Sequence, residues 1–78
     1  MSDATGNYIV VFKDNVTQEQ VEQYAQEVNS NGGEVTKRFD SILNGFAASI
    51  PTAFLTQLQS LQGGVIDYIE PDQIVHTQ

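Results

Sequence analysis

The chain has 78 residues, no cysteine, and ten acidic against three basic residues, a formal charge of −7. That charge repels nucleic acid and anionic membrane surfaces, and the lack of thiols excludes disulfides and thiolate zinc sites. With one histidine in the whole chain, no metal site and no cofactor are expected.

One domain, 1–78, is expected at this length, close to the lower limit for an unaided core. Met1 to Gly6 is expected as a flexible polar lead-in, 1–6. Met1 to Asn7 lacks the apolar h-region of a signal peptide, which together with the missing cysteine suits the cytoplasm. No apolar run approaches membrane-spanning length. Asn7 to Lys13, N-Y-I-V-V-F-K, predicts a strand with Tyr8, Val10 and Phe12 on one face and Ile9 and Val11 on the other. Two apolar faces mark a central strand.

Asp14-Asn15 is a turn. Thr17 and Gln20 have the spacing of a capping box, and Val16 and Val21 that of a hydrophobic staple. Val21, Tyr24, Ala25 and Val28 then form one apolar stripe at helical spacing, and Asn31-Gly32-Gly33 ends the helix. Glu34 to Phe39 predicts a polar edge strand, since Lys37 and Arg38 deter edge-to-edge pairing. Asp40 to Asn44 is a connection. Gly45 to Ile50 is the third strand, with Phe46, Ala48 and Ile50 on one face and the small Ala47 and Ser49 on the other. Pro51-Thr52 opens a second helix, Thr52 being the better cap. Phe54, Leu55, Leu58 and Leu61 form its stripe, and Gly63-Gly64 stops it. Val65 to Glu70 is the fourth strand. Ile66 and Ile69 stand three apart in it, so a bulge or a twist intervenes.

The order strand-helix-strand-strand-helix-strand, with right-handed crossovers, sets both helices on one face of a four-stranded antiparallel sheet in order 4-1-3-2. This is an α+β fold, the ferredoxin-like βαββαβ sandwich. The second sheet face is left bare, carrying Ile9, Val11, Ala47, Ser49 and parts of the fourth strand, and is a candidate docking surface.

Glu70 and Asp72 stand two apart, so an extended backbone turns them to one side. There they either close the strand as a polar turn or cap the N-termini of two helices of a partner. Beyond them lies a protruding tail, 73–78, with the apolar Ile74 and Val75 next to His76. Either a partner receives it or it adds a last strand to its own sheet. A catalytic triad through His76 has nothing to hold the imidazole in place. Glu70 and Asp72 have no cleft for glycosidase chemistry, and no arginine follows the first strand for acylphosphatase-like chemistry. RNA binding, known on this topology, would need bases and a second aromatic on the third strand. The chain is therefore expected not to be an enzyme.

The stretches Y-I-V-V-F-K at 8–13, N-G-G at 31–33, N-G-F-A at 44–47 and I-E-P-D-Q-I-V-H-T-Q at 69–78, in this order and spacing, resemble the subtilisin propeptide-like protease inhibitors, the fungal proteinase A and proteinase B inhibitor type. Pro71 stands where that family often has an acidic residue. The resemblance implies a protein inhibitor of subtilisin-like serine endopeptidases, monomeric when free, that docks its bare sheet face on two surface helices of the protease. Glu70 and Asp72 would cap those helices. Ile74, Val75, His76, Thr77 and Gln78 would lie product-like in the non-prime cleft as an added strand, with Gln78 in the first subsite, Thr77 in the second, His76 in the third and Val75 in an apolar fourth. The alternatives are a propeptide acting as an intramolecular folding chaperone, and an interaction module unrelated to proteases.

Overall fold

The computed structural model describes residues 5–39 and 44–72. The elements are β1 (Thr5–Phe12), α1 (Gln18–Ser30), β2 (Glu34–Phe39), β3 (Gly45–Pro51), α2 (Thr52–Gln59) and β4 (Ile66–Pro71). All strand pairs are antiparallel, in the order β2-β3-β1-β4. This is the expected 4-1-3-2 sheet read from its other edge. Both helices bury their apolar stripes in one core with Val10, Phe12, Phe46, Ala48, Ile50 and Ile66 of the strands, so the fold is the ferredoxin-like α+β sandwich.

The core is densest where β1 and β3 run side by side. Val10, Phe46 and Ile50 are fully closed to water, each burial worth ~1.5–3 kcal/mol. The Phe12 ring joins the layers, with its centroid 5.4 Å from that of Tyr24 on α1 and 5.8 Å from that of Phe46. Gly45 is obligatory: a Cβ there would collide with the carbonyl oxygen of Val10 on the adjacent strand.

Local signals explain α1. The Thr17 hydroxyl accepts from the Gln20 amide at 3.2 Å, and the Gln20 side chain accepts from the Thr17 amide at 3.1 Å. Val16 and Val21 flank this capping box and are both buried. Gly32 ends the helix with φ +91°, a conformation that side chains resist. Asn44 fastens the strand-helix connection, its Nδ2 donating to the carbonyls of Lys13 (3.1 Å) and Val16 (2.7 Å).

Several boundaries differ from those read in the sequence. β1 begins at Thr5, so residues 5 and 6 of the expected lead-in are strand. The reason is that β3 extends to Pro51 and offers them partners, Thr5 opposite Pro51 and Gly6 opposite Ile50. Pro51 rather than Thr52 caps α2, with φ −64° and ψ 147° and no side-chain cap bond, because Pro51 is still in the sheet when the helix begins. That helix ends at Gln59, ahead of Gly63-Gly64. There the Gly64 and Ile66 amides both turn back to the Leu61 carbonyl.

Each edge strand carries one irregularity. Tyr68 pairs with Val11 and Ile66 with Phe12, leaving Asp67 as an extra residue. Val35 pairs with Ala48 and Lys37 with Ala47, leaving Thr36 extra. The β4 bulge settles the phase that the sequence left open, since Ile66 and Ile69 both reach the helix side although they stand three positions apart.

Candidate functional site

Residues directly opposite one another on paired strands share a face, so the register lines up three rows on the side turned away from the helices. Phe39, Gly45, Val11 and Tyr68 form the first row. Lys37, Ala47, Ile9 and Glu70 form the second. Glu34, Ser49 and Asn7 form the third, extended by Asp72, whose amide donates to the Asn7 carbonyl at 2.8 Å. The face is thus apolar at one end and polar at the other.

Ile9, Val11, Ala47 and Ser49 therefore stand together in the middle of this face. They are not equally open. Ile9 and Ser49 are half-buried, while Val11 and Ala47 keep only 5% and 4% of their surface. The expectation of a bare face is corrected at Val11 and Ala47. Its two central strands contribute a nearly closed floor, and larger side chains stand along the edge strands.

Glu70 is exposed and Asp72 half-buried. Both fall on the same side as Ile9 and Asn7, by alternation along β4 and its short extension. Pro71 does not disturb this. The Asp72 amide points inward to β1, so in an antiparallel ladder the nitrogen of the preceding residue points outward. A proline is tolerated there because β4 is an edge strand. The tail candidates Ile74, Val75, His76, Thr77 and Gln78 lie outside the described residues.

The sequence reading did not place several residues of this face there, among them Lys37, Phe39 and Tyr68. Simple alternation would group Phe39 with Val35 on the helix side. The bulge at Thr36 reverses that and also sends Arg38 to the helix side, where it meets Glu22 of α1 at 2.7 Å. The pair is exposed and contributes little stability.

Elsewhere the chemistry is sparse. Among the described residues no group of three or more His, Asp or Glu side chains could hold a metal ion. A cleft of about 240 Å³ between the helices, lined by Tyr24, Phe54, Leu58 and Leu61 among others, is smaller than the ~300 Å³ at which ligand pockets begin.

Comparison with known proteins decides what kind of domain this is. The family described as Peptidase inhibitor I9 matches residues 7–78. The chain belongs to that family. Within it, the chain is 38% identical over 76 residues to Serine proteinase inhibitor IA-1 of Pleurotus ostreatus, covering 96% of this chain and 100% of that one. It is 31% identical over 74 residues to Protease B inhibitor 1 of Saccharomyces cerevisiae, covering 94% and 97%. A third relative, from Schizosaccharomyces pombe, is 28% identical over 71 residues and uncharacterised. The I9 match takes in all six elements except the first two residues of β1, together with the tail. It is a family of peptidase inhibitors, so the domain is an inhibitor scaffold and not a peptidase.

Proposed function

We propose that this I9 domain inhibits subtilisin-type serine endopeptidases. The sheet face turned away from its helices docks on the protease, and residues Ile74 to Gln78 occupy the non-prime substrate cleft. The observation that carries the reading is the convergence at the end of β4. Glu70 and Asp72 share a face with Ile9, and Asp72 is tied by its backbone to β1 one residue before the tail begins. One strand end thus presents the docking face, two carboxylates and the root of the tail together.

In this reading the carboxylates meet the N-termini of protease helices, where unsatisfied amides and the positive end of the dipole favour an anion. The tail then pairs with the edge of the cleft as an added strand, with Val75 in an apolar fourth subsite. Docking of the folded domain makes the entry of the tail an intramolecular event at high effective concentration. A free peptide of the same sequence bears the whole ordering cost itself.

A propeptide acting as a folding chaperone is the second reading. The Pleurotus relative favours the free-standing role, since the aligned stretch is the whole of that inhibitor. Titration against a subtilisin, with a trypsin-like enzyme alongside, tests the proposal. Inhibition of the subtilisin is expected with the trypsin-like enzyme unaffected, and no inhibition of the subtilisin refutes it.

A further inference from the structure

The bulges on the two edge strands decide where two aromatic rings stand. In β2, the extra residue Thr36 turns Phe39 away from the core side that unbroken alternation would give it. In β4, the extra residue Asp67 keeps Ile66 fully buried while Tyr68 faces away from the helices. Neither ring is among the side chains packed against the core, and both are half-buried. Bulges re-aim side chains in this way where a strand serves a site.

The two rings end one row of the sheet, Phe39 and Tyr68 at the rims with Gly45 and Val11 between them. The rims are three interstrand gaps apart, about 14 Å. Between the rings almost nothing is left to bury, because Gly45 has no side chain and Val11 keeps 5% of its surface, while in the next row Ala47 keeps 4% and Ile9 is half-buried. Contact energy follows the apolar area removed from water and concentrates in aromatic anchors. It must therefore come mainly from the two rings at the rims, with Ile9 the half-open apolar side chain on the central strands.

We propose that Phe39 and Tyr68 are the anchor residues of the docking face and set affinity and selectivity for the serine protease, the floor acting as a spacer of fixed depth. This rests on the proposed function, and it shifts the weight of docking from the centre of the sheet to its edges.

The test is the inhibition constant against a subtilisin for the wild-type chain, Phe39→Ala, Tyr68→Ala and, as a control on the helix layer, Gln26→Ala, with folding of each checked by circular dichroism. Each aromatic truncation is expected to weaken inhibition about tenfold or more, and Gln26→Ala less than twofold. A second measurement needs no substitution. The chain has three tyrosines, and Tyr8 and Tyr24 pack against the core on the helix side. With 3-fluorotyrosine incorporated, adding a subtilisin whose nucleophilic serine is replaced by alanine should shift the fluorine resonance of Tyr68 and leave those of Tyr8 and Tyr24 in place. A wild-type chain that inhibits, with both truncations within twofold of it or with an unmoved Tyr68 resonance, overturns this inference alone. A wild-type chain that inhibits no subtilisin overturns the proposed function and this inference with it.

Discussion

Ile66→Ala empties the fully buried place opposite Phe12 in β4. The change loses the burial of one isoleucine and leaves a cavity, about 3 kcal/mol within the ~2–5 kcal/mol known for large-to-small core changes. A domain of this size has about 4–12 kcal/mol in all. With a urea slope of about 1 kcal/mol/M, the midpoint should fall by about 3 M. Deleting Asp67 is the contrasting case. It removes the extra residue and leaves Ile66 opposite Phe12 and Tyr68 opposite Val11 in unbroken alternation, so every side chain of β4 keeps its face and the loss should stay below about 1 kcal/mol. Asp67→Ala keeps the extra residue and, on an exposed position, should cost no more than ~0.5 kcal/mol. Urea unfolding followed by circular dichroism measures all three. An Ile66→Ala variant within ~0.5 kcal/mol of the parent would show that Ile66 does not hold β4 to the core.

Further outcomes follow from the same geometry. Removing Ile74 to Gln78 should leave the unfolding transition in place and sharply weaken inhibition of a subtilisin; equal inhibition by the shortened chain rules out the tail mechanism. Val75→Asp should be nearly as harmful to the inhibition constant, because it sets a charge in an apolar subsite, and unchanged affinity counts against that assignment. Glu70→Ala and Asp72→Ala should each weaken docking by about 1 kcal/mol, roughly fivefold, and a gain in affinity contradicts helix capping. Thr17→Ala breaks the capping box and should cost about 1 kcal/mol. For a domain this small that is a drop of about 6 °C in Tm, and an unchanged melting curve would show that the box contributes nothing.

The central part of the fold was legible because its signals are local and mutually consistent. The apolar faces of Tyr8 to Phe12, the Thr17–Gln20 box and the Gly32 stop each follow from sequence spacing alone. The sheet order followed from connection rules rather than from any single residue. The edges were harder to read. A bulge inserts one residue into a period of two, and nothing in E-V-T-K-R-F marks Thr36 as that residue. Its position depends on what the neighbouring strand offers, here Ala47 and Ala48. Lys37 and Phe39 were therefore not assigned to the open face. In β4 the three-residue step between Ile66 and Ile69 pointed to a bulge or a twist, but neither to Asp67 nor to the side Tyr68 would take. The closed floor at Val11 and Ala47 was equally out of reach, since burial on an open face depends on what stands beside a residue in space.

Among the described residues β4 is the last strand of the sheet and has one neighbour, β1, against which it pairs as far as the Asp72 amide. An inhibitor of proteases is also a polypeptide its target can digest, and digestion needs an unpaired stretch of backbone. Edge strands open more readily than central ones. The working lifetime of such an inhibitor beside its enzyme is then governed by how often β4 peels from β1. Among the groups resisting that step is Ile66, fully buried and paired with Phe12 of β1. A change that tightens this strand would prolong inhibition without touching a single residue that meets the protease.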